Sequence, residues 1–267
     1  MVMIESKGYK FEMDGYLKTN LDIIKDEAIP NKWDAVFIIN GKEGAGKTTL
    51  ATQMSLYLDL DFGLNGTEFN PPQFETLIDY CPDESSILWD EGITGAMSAR
   101  HASQISQIII SKLTQIRKKR LKIFICFPYL YMLNKYFVSR CVASFYVYSK
   151  GFTGRGHFFA YNQEQTQYLY ALMKEKYSMT PDTAYKKANK SFYGRFTEVF
   201  CLPEAEYDEK KDKARLTNTD EDNIWRARLV KLLKLCKGVI PQTEIARVWG
   251  VKQQTVSALN RPTYEKV

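Results

Sequence analysis

An apolar run, AVFII at residues 35–39, leads through Asn40 into GKEGAGKT at 41–48 and then at once into a helical pattern. A strand, a glycine-rich loop and a helix in that order leave little choice of architecture. Gly41, Gly44 and Gly46 let the backbone take conformations closed to residues with a side chain, so successive N–H groups can point inward and form a nest for an anion. Leu50, Met54 and Leu58 fall on one face of the following helix, so the anion also meets the positive end of a helix dipole. The spacing and context predict a nucleoside triphosphate held by Gly41, Lys42, Glu43, Gly44, Ala45, Gly46, Lys47, Thr48 and Thr49. Lys47 is expected against the β and γ phosphates, and the Thr48 hydroxyl on a Mg²⁺ ion.

The chain has 267 residues, 45% of them hydrophobic, which suffices for one substantial core and a smaller module. Its most apolar stretch, 121–133, is broken by Lys122 and Pro128, and no opening segment has the make-up of a secretion signal. No membrane segment is expected. The five cysteines (81, 126, 141, 201 and 236) form no CxxC pair and have only His101 and His157 to join them. They read as small buried thiols in a reducing compartment, and a cytoplasmic protein is expected.

From residue 35 onward, strand-like runs alternate with helical patterns, the signature of a mostly parallel sheet flanked by helices. The strands fall at 35–40, 86–89 and 121–126, with a helix over 103–119 carrying Ile105, Ile108, Ile109, Leu113 and Ile116. A β-hairpin is expected from 141–148 and 157–161 around KGFTGRG. Residues 1–34 show no strong periodicity and read as a lead-in, and 168–201 is mixed. The charged run 204–222 suits a solvated linker or an exposed helix. The expected division is a lead-in at 1–34, an α/β nucleotide-binding domain at 35–203, a linker at 204–222 and a small all-α domain at 223–267.

The strand SILW at 86–89 ends in Asp90 and Glu91. After a phosphate-binding loop, Asp90 is placed to hold the Mg²⁺ shell. Glu91 is then placed to orient and polarise an attacking water, because phosphoryl transfer is accelerated mainly by positioning and electrostatics. The reading requires the loop and the acidic pair to converge from adjacent strand tips. Guanine specificity would call for NKxD, and the nearest string, NKYF at 134–137, lacks the aspartate. ATP is therefore the expected nucleotide.

Lys47, Thr48, Asp90 and Glu91 together resemble the additional-strand, catalytic-glutamate class of P-loop ATPases. The order that follows is Arg100, the RKKR cluster at 117–120, the strand LKIFIC, the segment 127–140 and a hairpin. Over roughly 35–160 it is similar to FtsK/HerA-type DNA translocases and to zonula occludens toxin-like ATPases of phages and mobile elements. Two features depart from that pattern: Cys126, Phe127 and Pro128 stand where the first group usually carries a polar sensor, and the membrane segment typical of the second is missing. The resemblance implies a homo-oligomer, a ring in many members, with an arginine borrowed across the subunit interface. Arg100, Arg117 and Arg140 are the candidates, each equally readable as a solvated helix charge or a phosphate-backbone contact. RKKR reads most simply as an exposed helix end.

The net charge is +6, yet residues 223–267 alone carry +7, from nine basic and two acidic side chains, leaving −1 for residues 1–222. Within that tail, QTEIARVWGVKQQTVSALNR at 242–261 has helix-turn-helix spacing: Ala246 where two helices touch, Gly250 in the turn, Val256 and Leu259 inward. Lys252, Gln253, Gln254, Thr255 and Ser257 would face a DNA groove. The alternative for this segment is a small bundle that binds a protein partner. The sequence thus leads to an ATP-hydrolysing DNA motor. A nucleotide-switched DNA-binding regulator or loader uses the same residues, and a small-molecule kinase leaves the tail without a purpose.

Overall fold

The computed structural model describes residues 1–90, 96–151, 154–175 and 181–215, with isolated positions at 241, 243, 244 and 247; for 96–103, 113, 175, 181 and 182 it describes the backbone. The chain divides into two compact units, Met1–Ala214 and Arg215–Val267. The first opens with β1 (Val2–Ser6), β2 (Tyr9–Met13) and α1 (Gly15–Ile23), followed by β3 (Ala35–Asn40), α2 (Lys47–Leu58), β4 (Thr67–Glu68), α3 (Pro71–Tyr80) and β5 (Ser86–Asp90). It continues through α4 (Ala96–Ser111), α5 (Leu113–Lys119), β6 (Lys122–Phe127), α6 (Lys135–Arg140), β7 (Ala143–Lys150) and β8 (Gly154–Asn162). The last elements are α7 (Gln163–Glu175), α8 (Pro181–Lys187), β9 (Phe192–Arg195) and a helix over 204–215, here α9.

Among the described residues, seven strands form one sheet in the order β4-β5-β6-β3-β7-β8-β9. The run from β4 to β7 is parallel, and β8 and β9 close the far edge antiparallel. The protein is thus α/β with a mostly parallel sheet. All residues of β3, β5 and β6 are buried, as strands covered on both faces require. Alternate residues divide between two cores. Phe37, Leu88 and Phe124 face α1, α2 and Tyr207 of α9, with Phe37 and Phe124 stacked at 4.9 Å. Ile38, Trp89 and Ile125 face the layer that contains α3–α8.

Helix α2 is buried nearly all round, its polar side included. Gln53 Nε2 donates to the carbonyls of Thr197 (2.7 Å) and Val199 (2.8 Å), and the Cys201 amide donates to Thr52 Oγ1 at 3.4 Å. These bonds pin the segment after β9 along α2, which explains why the helix carries no polar stripe.

Several expectations need correction. Residues 1–34 are no lead-in: Phe11 and Met13 of β2 and Leu17 and Leu21 of α1 are core residues, and Asp14 caps α1 by accepting from Tyr16 and Leu17. The helix expected at 103–119 begins at Ala96 and breaks at Lys112, whose backbone leaves the helical region (φ −96°, ψ 7°) while its ammonium holds Asp79 of α3. The loop and the acidic strand do not have adjacent tips, because β6 lies between β3 and β5. The RKKR cluster does end a helix, with Arg117 and Lys118 exposed, but its last two residues are engaged. Lys119 Nζ donates to the carbonyls of Ile78, Asp79 and Cys81 at the end of α3, where a cation complements the dipole, and Arg120 pairs with Glu84 at 2.7 Å. The first part of the charged run at 204–222 packs as α9: Tyr207 is buried, and Lys210 pairs with Glu68 of β4 at 2.8 Å.

Apart from positions 243, 244 and 247, the helix-turn-helix segment, with Lys252, Gln253, Gln254, Thr255 and Ser257, lies outside the described residues. Among the described residues no helix is long and apolar enough to cross a membrane.

Candidate functional site

The glycine-rich loop leaves β3 at the sheet's carboxyl edge, the edge where open α/β sheets place ligands. The Gly41 amide donates to the Pro128 carbonyl at 3.1 Å, which ties the loop's entry to the end of β6. At Gly41 (φ +148°) a Cβ would stand 2.2 Å from the Val147 carbonyl oxygen, so the approach of β7 excludes any side chain. Gly46 is the N-cap of α2 at φ 99°, in the left-handed region, with the Phe196 ring 3.2 Å from where its Cβ would be. Lys47 arches back over the loop, its Nζ donating to the carbonyls of Gly41 (2.9 Å) and Lys42 (3.0 Å).

Thr48 reaches Asp90 although their strands are not neighbours. Helix α2 packs across β5 and β6, so its first turn comes over the tip of β5. Thr48 Oγ1 donates to Asp90 Oδ1 at 3.1 Å. A hydroxyl and a carboxylate so placed form the hard-oxygen pair that Mg²⁺ takes, usually completed by phosphate oxygens and water. The residues present therefore fit a magnesium-bound triphosphate.

Asp90 is 3% exposed, and a buried carboxylate must be neutralised. Its Oδ2 accepts from the Tyr207 hydroxyl and from Lys211 Nζ at 3.2 Å, and Lys211 also reaches the Tyr207 oxygen at 3.3 Å. Burial, with Asp90 close by, pushes the Tyr207 hydroxyl far above the ordinary phenol range. Cys126 faces Asp90 across the β5–β6 register; burial first, and then Asp90, raises its thiol well above the usual value and keeps it neutral. Asn40, the last residue of β3, is fully buried, and among the described residues neither of its amide atoms has a partner.

Tyr207 and Lys211 were not foreseen from the sequence. The available signal was their spacing: Tyr207, Lys211 and Ala214 share one helical face within the charged run. Glu91 lies outside the described residues. Arg100 falls in α4, where the backbone alone is described. Arg117 packs over the Trp33 ring at 5.5 Å, and the Arg140 guanidinium binds both carboxylate oxygens of Asp34. Trp33 and Asp34 immediately precede β3, at the edge of the sheet opposite the loop.

No protein family, curated protein or solved structure matches this chain.

Proposed function

We propose that this chain is an ATP-hydrolysing, DNA-directed motor of the P-loop type, with nucleotide bound by residues 41–49 and Mg²⁺ by Thr48 and Asp90. The observation that carries the reading is the 3.1 Å contact between Thr48 and Asp90, made at the open end of a positive-φ glycine loop. It is further supported by β6, which lies between the strand feeding the loop and the strand ending in Asp90, in keeping with an additional-strand ATPase. Bound Mg²⁺ would neutralise charge on the β and γ phosphate oxygens. Lys47 would then turn from the carbonyls of Gly41 and Lys42 to those oxygens, and Glu91, next in sequence to Asp90, would orient the attacking water.

The DNA assignment rests on the +7 of residues 223–267 and on helix-turn-helix spacing at 242–261. One such module binds weakly, so a homo-oligomer would supply the several copies that useful affinity needs. ATP turnover with and without DNA tests the reading. Turnover should rise with DNA and vanish in Lys47→Ala and Glu91→Gln; a Glu91→Gln enzyme as fast as the parent would reject the catalytic assignment. Removing residues 223–267 should weaken DNA binding and flatten its salt dependence, since counterion release scales with the phosphates neutralised.

A nucleotide-switched regulator is favoured by one observation: Lys211 and Tyr207, which hold Asp90, sit on α9, close to the end of the first compact unit at Ala214. Directional displacement of a roadblock from DNA of any sequence supports the motor; tight preference for one sequence without movement supports the switch.

A further inference from the structure

A cavity of about 260 Å³ opens beside the first turn of α2, floored by Gly46 and Thr49. We propose that it is the nucleoside subsite of the loop, built for the adenine and ribose of ATP. The inference rests on the nucleotide reading above and deepens it. Lys47 and Thr48 mark the β/γ end of a bound triphosphate, so the chain of phosphates runs back along the loop and leaves it at the turn carrying Thr49. The nucleoside then enters the space next to that residue. The volume lies just below the roughly 300–1,000 Å³ of pockets that enclose whole drug-sized ligands, and suits the half of a nucleotide that the loop does not hold.

The walls have matching chemistry. Phe196 and Phe200 provide ring surface on which a base can stack. Neither ring is loosely held: the Phe196 amide bonds the Gly156 carbonyl at 2.9 Å, and Phe200 packs edge-on against Tyr207 with ring centres 4.9 Å apart. Around the rings stand the carboxylates of Glu198, Glu204 and Asp208, with Arg155 as the one basic side chain among the described residues. An acidic rim cannot welcome phosphate, so it fixes the nucleotide's direction, with charge toward Lys47 and the neutral nucleoside toward the rim. Carboxylates accept hydrogen bonds and do not donate them. They therefore suit ribose hydroxyls and the amino group of a base. Tyr207 borders this cavity and also donates to Asp90, so one side chain joins the nucleoside end of the site to its metal end.

The test is equilibrium binding to the full chain with Mg²⁺, using ATP, dATP and inorganic tripolyphosphate. The parent protein should bind ATP more tightly than tripolyphosphate, and dATP more weakly than ATP. Phe200→Ala should weaken ATP by roughly tenfold, the loss of one stacked ring, while tripolyphosphate binding stays unchanged. Glu204→Gln, at an exposed position, should narrow the ATP-to-dATP ratio, and 8-azido-ATP should label the peptide 196–208. Lys47→Ala should lose ATP and tripolyphosphate together. If Phe200→Ala and Glu204→Gln bind ATP as the parent does while Lys47→Ala does not, the cavity assignment is overturned and the nucleotide reading stands. If the parent binds neither ATP nor tripolyphosphate, both fall.

Discussion

Lys211 Nζ stands 3.2 Å from Oδ2 of Asp90, a carboxylate buried at the tip of β5 whose other oxygen accepts from Thr48. Lys211 lies three residues before Ala214, where the first compact unit ends. The same carboxylate is the proposed anchor for Mg²⁺, so a divalent cation bound there would compete with the α9 ammonium for Asp90. On the proposed reading, that competition would link the state of the nucleotide to α9.

The competition sets the first expected outcome. Lys211→Met should lower the Mg²⁺ concentration needed for half-maximal ATP binding, because the rival cation is gone. Tyr207→Phe removes a hydrogen bond to a buried carboxylate and should cost about 1.5–3 kcal/mol in urea unfolding. A Lys211→Met protein with an unchanged Mg²⁺ requirement would show that the lysine is only a fixed neutralising charge.

The loop's glycines should differ sharply in tolerance. A Cβ at Gly41 would meet the backbone oxygen of Val147 at 2.2 Å, and a carbonyl in a paired strand cannot yield. Gly41→Ala should therefore destabilise the protein by about 3 kcal/mol or abolish folding. At Gly44 nothing lies within 4 Å of the added atom, and only its φ of +71° opposes a side chain. Gly44→Ala should cost about 1 kcal/mol. Urea midpoints for the pair check this, and equal losses would contradict the geometry.

Much of this arrangement was legible before any coordinates. Strands 35–40 and 86–89 announce themselves as unbroken apolar runs because both their faces are covered, and the loop announces itself through its glycines. The boundary of β6 was displaced by one residue because Arg120, at φ 54°, and Leu121 still close α5. The opening hairpin was illegible because β1 buries Ile4 alone, which leaves no alternation to detect. Tyr207 and Lys211 were hidden for a different reason. Their partner is a carboxylate more than a hundred residues away, and a charged run looks solvated unless the buried charge it neutralises is known.

The ion pair of Asp79 and Lys112 gives a pH signature. Lys112 Nζ binds both carboxylate oxygens, at 2.7 and 2.8 Å, and holds the Asp79 carboxyl below its ordinary value. A carboxyl lowered in the folded state contributes stability that is fully present above the unfolded-state value, about pH 4, and is lost as the pH falls through the lowered folded value. Asp79→Asn should therefore flatten the acid limb of the urea midpoint plotted against pH below about 4, and leave its neutral limb parallel to the parent's. Since the pair is partly exposed, added salt should shrink the difference.

Arg140 offers the sharpest separation between a structural and a catalytic arginine. Its guanidinium binds both oxygens of Asp34, whose side chain is fully buried, at the edge of the sheet opposite the loop. Removing the arginine alone leaves a buried carboxylate without its partner, so Arg140→Ala should cost about 3 kcal/mol or more in urea unfolding. Replacing both partners by apolar residues, Asp34→Leu with Arg140→Met, should recover much of that loss, because neither charge then has to be desolvated. A structural arginine also predicts that ATP turnover per folded molecule in the double variant stays within about twofold of the parent. An arginine reaching into a neighbouring subunit's site would behave differently: turnover would collapse by about a thousandfold in a fully folded double variant. That collapse would move Arg140 back among the residues that act on the phosphates.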